Sequence, residues 1–201
     1  MIIILVVGYL GFIPGLSDAM GTSKPRNLGV SYSQSDYASG LAKVPGMQVT
    51  NVSGVCLTCN YTSTGSIPVK TAFTQEEFTA QMNEENNANG PVKNTQFKFN
   101  ADGTIEMSGL IVDPKLTGAV YVKGKIVSAS GKSVVIKVDS AELGRLPLPD
   151  EQKKIAEDYV SQAVASYFSK NPGSNIISLK VSEGKLEFDG SLPASVVGEA
   201  K

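Results

Sequence analysis

Few residues in this chain are equipped for chemistry. Its two cysteines fall in one motif, Cys56-Leu57-Thr58-Cys59, and its 201 residues include no histidine. That absence excludes Ser-His-Asp and Cys-His nucleophilic catalysis, a histidine metal site and an imidazole proton shuttle. A zinc ribbon needs four ligands, which two cysteines cannot supply. A thioredoxin-type pair sits at a helix N-terminus, where the dipole lowers a thiol pKa. Here the flanks, Val52-Ser53-Gly54 and Asn60-Tyr61-Thr62-Ser63, read as loop. The expectation is a Cys56–Cys59 disulfide at a long hairpin tip outside the cytoplasm, with inert thiols or redox or metal work as the other readings. The loop it closes is tiny, so it adds little stability.

The carboxylates suggest no catalytic pair. Glu76/Glu77 and Glu84/Glu85 are adjacent on a helix, point in different directions, and read as a solvated face. Glu106 and Glu187 fall opposite lysines on hairpins and read as surface pairs. Asn51-Val52-Ser53 and Asn60-Tyr61-Thr62 match the glycosylation pattern, which has meaning only in a secreting eukaryote. With 18 basic and 19 acidic residues the net charge is −1, without the basic surplus a nucleic-acid binder needs to displace counterions. The reading is a protein that is not an enzyme, with no cofactor, metal or catalytic residue and no nucleic-acid partner; a protein partner is not specified.

Residues 1–16 (MIIILVVGYLGFIPGL) are uncharged, and ten of them are Ile, Leu, Val or Phe. On the insertion scale these contribute roughly −3 to −6 kcal/mol before Gly8, Gly11 and Pro14 reduce it. As a helix the run spans about 24 Å, short of the ~30 Å hydrocarbon core. Three readings fit: a marginal anchor, a signal-peptide core, or a buried element of the domain. The anchor is expected, with its cytoplasmic flank upstream of this start and the body extracytoplasmic, although Lys24 and Arg26 follow the run rather than precede it. Residues 17–27 (SDAMGTSKPRN) then read as a polar tether.

Periodicity predicts three helices. Over residues 150–170, Ile155, Tyr159/Val160, Ala163/Val164 and Tyr167/Phe168 form one apolar stripe, with Asp150 as cap and Asn171-Pro172-Gly173 as stop. A second helix opens at Thr74, where Thr74 and Glu77 make a capping box and Phe73 and Phe78 a hydrophobic staple. A weaker third covers residues 33–43, with a Ser33/Asp36 cap pattern.

Each strong helix precedes a hairpin of strict alternation. One register sets Phe97 against Met107, Lys98 against Glu106 and Phe99 against Ile105; the other sets Leu179 against Phe188, Lys180 against Glu187 and Val181 against Leu186. A third hairpin, residues 119–139, sets Val120, Val122 and Ile126 against Val134, Ile136 and Val138, and Lys123 against Lys137. Residues 47–53 and 67–72 read as the strands of a degraded first unit. The order α-ββ-α-ββ-ββ-α-ββ gives an α+β fold: a curved antiparallel sheet built from hairpins, two or three helices packed on one face, and an N-terminal hydrophobic segment.

The apolar side chains point to one side. Phe78 and Met82 on one helix, Phe97, Phe99, Met107 and Phe188 on hairpins, and Tyr159, Val160, Tyr167 and Phe168 on the long helix converge there. They make either an ordinary core or a groove that holds an acyl chain, which aromatic and methionine side chains suit.

Element order and turn placement resemble the bacterial relatives of the TULIP (tubular lipid-binding) superfamily, in particular small membrane-anchored domains of uncharacterised function. The likeness is carried by Phe73-Thr74-Gln75-Glu76-Glu77-Phe78, residues 94–109, Leu143-Gly144-Arg145-Leu146-Pro147-Leu148-Pro149 and residues 178–193, and covers residues 73–193. It implies a non-enzymatic domain that binds a lipid or other apolar molecule near a membrane. The helices are short for a full lipid tube, and the Cys56/Cys59 motif is not part of the likeness.

The sequence thus divides into a hydrophobic anchor or signal (1–16), a tether (17–27), a small α-ββ unit with the CxxC loop (28–72), an α-ββ-ββ-α-ββ domain (73–193) and a tail (194–201). The expected function is a membrane-tethered extracytoplasmic domain with a lipid or apolar ligand between sheet and long helix. The alternative is a structural or adhesive cell-envelope domain that contacts another protein and has no cavity.

Overall fold

A computed structural model describes residues 23–50, 61–89, 92–113 and 116–198. Their elements run α1 (Gln34–Ala42), β1 (Gln48–Thr50), β2 (Tyr61–Thr64), β3 (Ile67–Thr74), α2 (Gln75–Asn89), β4 (Val92–Phe99), β5 (Thr104–Asp113), β6 (Leu116–Ser130), β7 (Ser133–Leu143), β8 (Leu146–Pro147), α3 (Asp150–Lys170), β9 (Asn175–Ser182), β10 (Lys185–Leu192) and β11 (Ser195–Gly198). The strands form three open sheets, ordered β4-β5-β6-β7-β8, β3-β10-β9 and β1-β11-β2. The fold is α+β and mostly antiparallel. The anchor at 1–16, the tether up to residue 22 and Cys56/Cys59 lie outside the described residues, as do the glycosylation patterns' Asn51 and Asn60.

The two echoing hairpins take the registers that alternation predicts. Phe97, Lys98 and Phe99 oppose Met107, Glu106 and Ile105, and Leu179, Lys180 and Val181 oppose Phe188, Glu187 and Leu186. Gly103 (φ 79°) and Gly184 (φ 68°) supply the left-handed turn residue in each. The turns also meet, since the Gly184 amide donates to the Phe99 carbonyl at 2.9 Å.

The β6–β7 register differs from expectation. Lys137 opposes Lys125, Lys123 opposes Ser140, and the turn falls at Gly131 (φ 65°). Two bulges, leaving Val127 and Asp139 unpaired, shift the strands past one another. Gly124 permits the close crossing, because a methyl group there would lie 2.4 Å from the Lys137 carbonyl oxygen. Beside the second bulge the Val138 amide donates to Glu157 Oε1 at 2.7 Å, which ties α3 to β7. Lys153, Glu157, Ser161 and Val164 are partly buried and Phe168 is buried, whereas Ile155 is 67% exposed and Val160 39%, against the predicted stripe. Pro149 rather than Asp150 is the cap residue, and it makes no side-chain cap bond.

Strand pairing crosses the divisions read from sequence. β3 pairs with β10, not with a partner from residues 47–53. Residues of the supposed tail form β11, which lies between β1, parallel, and β2, antiparallel. The described end of the tether is also held: Arg26 pairs with Glu142 at 2.6 Å, its guanidinium lies 3.7 Å over the Tyr121 ring, and Leu28 and Val30 pack against Tyr121. Alternation puts Tyr121 on the face opposite Val122, Met107 and Phe97, so this segment covers the side of the large sheet away from α2.

Helix α2 seals the edge strand β4 with side chains four residues apart. Gln75 Oε1 accepts from the Phe99 amide at 3.3 Å, Thr79 Oγ1 from the Phe97 amide at 3.0 Å, and Asn83 Oδ1 from the Thr95 amide at 2.9 Å. Asn83 Nδ2 donates to the Thr95 and Thr79 carbonyls at 2.7 and 2.8 Å. Four helical residues rise about 6 Å and two strand residues about 6.6 Å, so the two backbones run in near-register. A strand edge that would otherwise present free amides is thereby satisfied.

Candidate functional site

A cavity of about 330 Å³ lies where α1, α2, α3 and strands β7, β9 and β10 converge. The turn and cap chemistry of α1 and α2 sets its walls. Ser33 and Asp36 form the predicted capping box that starts α1, which brings Leu41 and Val44 to the cavity, with Met47 beyond them. The Thr74–Glu77 box starts α2, with the Glu77 amide donating to Thr74 Oγ1 at 3.2 Å and the Thr74 amide to Glu77 Oε2 at 2.8 Å. Both staple residues, Phe73 and Phe78, reach the wall, as does Met82 one turn on. Across from them Val164 and Phe168 of α3, Val134 of β7, and Leu179 and Phe188 of the β9–β10 hairpin complete it. A larger recess of about 580 Å³ on the opposite, N-terminal side is of mixed character, with Arg26 and Arg145 beside Ala119, Val120 and Tyr121 on its wall.

Of the predicted groove residues, Phe78, Met82, Phe168 and Phe188 line the cavity. Phe97 and Phe99 stand behind Phe78, their rings edge-on to it at 5.0 and 5.6 Å, and belong to the packed core under α2. Met107 is half-buried between Phe97 and Val122 and is not on the wall. Val160 is 39% exposed and is not on the wall. The Tyr159 and Tyr167 side chains lie outside the described part of the structure. Sequence reading missed Leu41, Val44 and Met47, which it assigned to a separate unit. Leu179 and Val164 were read as apolar positions of a hairpin and a helix, without a sign that they share a wall, and Ile176 was not singled out.

Glu77 is a correction of another kind. Read as part of a solvated face, its side chain is only 5% exposed and accepts from Lys43 Nζ at 2.5 Å and Ser39 Oγ at 2.7 Å. Lys43 also donates to the Ala72 carbonyl at 2.7 Å, and Gln81 Nε2 to the Tyr37 carbonyl at 3.0 Å. These bonds fasten α1 across α2. Burial alone would raise the Glu77 carboxyl; hydrogen bonds from Lys43, Ser39 and the Thr74 amide, with the Lys43 charge, outweigh it and hold it below its ordinary value. Gly40 allows the approach, since a methyl group there would lie 3.1 Å from Gln81 Nε2.

Glu106 is likewise more than a surface pair with Lys98. It accepts from Asn100 Nδ2 at 2.9 Å and Tyr121 Oη at 2.8 Å, and these bonds overcome burial to lower its carboxyl. Burial and the Glu106 bond push the Tyr121 phenol up to about 12.

A scan of protein-family models and searches of curated proteins and of solved structures give no match to this chain. Among the described residues no helix is long and apolar enough to cross a membrane, and no three metal-ligating side chains cluster.

Proposed function

We propose that this protein is a non-enzymatic domain that holds a lipid or other apolar molecule in the cavity between α1, α2, α3 and the sheets. The cavity carries the reading: about 330 Å³ walled by aliphatic and aromatic side chains falls in the range of roughly 300–1,000 Å³ of ligand sites. The buried carboxylates offer no competing chemistry, because Glu77 and Glu106 both fasten one element to another.

On this reading the sheets curve around helices packed on one face, as the TULIP resemblance implies. Residues 1–16 tether the body to a membrane on its extracytoplasmic side, and Cys56 and Cys59 form a disulfide. Native mass spectrometry of the gently purified full chain tests the central claim. The expected spectrum carries an organic adduct that organic extraction removes. A bare polypeptide that also takes up no apolar fluorophore refutes it, and leaves the structural or adhesive reading.

A further inference from the structure

We infer that the outer sheet face around the β6–β7 hairpin docks on an anionic lipid bilayer, seating Val127, Val135 and Ile177 among the headgroups while the lysines beside them meet the lipid phosphates. This face lies away from the cavity, and its docking is independent of the apolar-ligand reading above. Two bulges supply aliphatic side chains. The shift between Ile126 and Ser128 leaves Val127 unpaired, so that Val127 and Ser128 together oppose Val135. The shift between Asp189 and Gly190 leaves Ile177 of β9 unpaired in the same way. A bulge re-aims the side chain of its extra residue, and both extra residues here are β-branched aliphatics. Val127 is 59% exposed, Val135 45% and Ile177 67%. Their neighbours Val134 and Ile176 line the cavity, so alternation turns Val135 and Ile177 to the other face. The Gly131–Ile176 bridge lays the hairpin turn beside β9 and brings these side chains onto one surface.

The charge around them has one sign. Lys125 directly opposes Lys137, and Lys132 stands in the turn between the two strands. All three are exposed. Like charges in opposed positions cost stability. None of the three forms an ion pair, and Asp139, the next charged residue along β7, pairs with none of them. The whole chain carries only −1, so this positive charge is a local concentration that an anion would offset. Protein interfaces favour aromatic side chains and arginine and are depleted in lysine. This patch has lysine and aliphatic residues, with neither arginine nor an aromatic ring. A bilayer suits that mixture, because aliphatic side chains enter the headgroup boundary and each lysine near an anionic surface strengthens binding about fivefold.

The chain contains no tryptophan, so a single substitution places one indole where it is wanted. Val135→Trp and Val127→Trp probe the patch, and Ile155→Trp, exposed on α3 across the sheet, is the reference. Each full-length variant is mixed with vesicles of phosphatidylcholine alone, or with about one-third phosphatidylglycerol, carrying brominated acyl chains as quencher. With anionic vesicles both patch indoles should shift to the blue and be quenched; with neutral vesicles, and at Ile155→Trp, they should not. Adding Lys125→Gln and Lys137→Gln to Val135→Trp should weaken docking about twenty-five-fold, fivefold for each lysine. Circular dichroism and thermal unfolding verify that every variant folds. Patch indoles that both stay unquenched by anionic vesicles overturn the proposal, whether or not an organic adduct upholds the cavity reading. Equal quenching at Ile155→Trp overturns the assignment to this face, and equal quenching by neutral vesicles overturns the role of the lysines. A blue shift without vesicles that grows with protein concentration makes the partner a second copy of the chain, and overturns the bilayer.

Discussion

Replacing Lys43 by methionine keeps the aliphatic stem and removes only the charge, so it isolates what the ammonium does for Glu77. The carboxylate is 5% exposed and the lysine 28%, so the variant leaves a buried charge facing two weaker donors, Ser39 Oγ and the Thr74 amide. Breaking a buried pair by removing one partner costs about 3–5 kcal/mol. Partial exposure of Lys43 places this case near the lower end, at about 3 kcal/mol at pH 7. The pH dependence follows from the sign. In the wild type the folded Glu77 value lies below the 4.5 of the unfolded chain. Its contribution is therefore present above that pH and lost as pH falls through the lowered value. In Lys43→Met the opposing bonds shrink while burial stays, so the folded value rises and protonation relieves the buried charge earlier. Urea unfolding at pH 7.5 and pH 4 should show the gap between the two proteins narrowing at the lower pH. Adding Glu77→Gln should recover part of the loss. A gap below about 0.5 kcal/mol, the size of an exposed pair, or one that is the same at both pH values, refutes the account.

Asn83→Ala should cost about 2–4 kcal/mol in thermal unfolding, because it strands the buried Thr95 amide and carbonyl that Asn83 satisfies. Gly124→Ala should cost about 1–3 kcal/mol in urea unfolding, since the obstructing atom is backbone at 2.4 Å and cannot swing aside. Tyr121→Phe removes one of the donors that oppose burial at Glu106, so an NMR titration should find that carboxyl higher than in the wild type. The acid loss of stability due to Glu106 should then begin at a higher pH.

What sequence revealed was local. The Thr74–Glu77 box, the Ser33–Asp36 box and the Gly103 and Gly184 turns join residues within four positions, where pattern and structure share one cause. Registers built directly on such turns were legible too. The bulges at Val127 and Asp139 were not, because an inserted residue leaves no trace in composition, and beside one of them the Val138 amide bonds Glu157 of α3. Glu77 shows the limit in miniature: its capping role lies in neighbouring residues, but its burial comes from Lys43, thirty-four positions away. The cavity wall was half visible. Phe78, Met82, Phe168 and Phe188 stood out by type, whereas Leu41, Val44 and Met47 join them through long-range bonds that hold α1 across α2, the Lys43–Glu77 pair among them.

Strand β11 threads between β1 and β2, so two pieces near the start of the chain are joined by one from its end. The same holds for β3, whose partner β10 is synthesised more than a hundred residues later. Two of the three sheets thus cannot be assembled in the order in which the ribosome delivers them. Contacts of such separation must meet the entropy of closing a long loop before they return anything. Among the described residues, β1 and β2 therefore wait for β11, and β3 for β10, before their strand pairing can form.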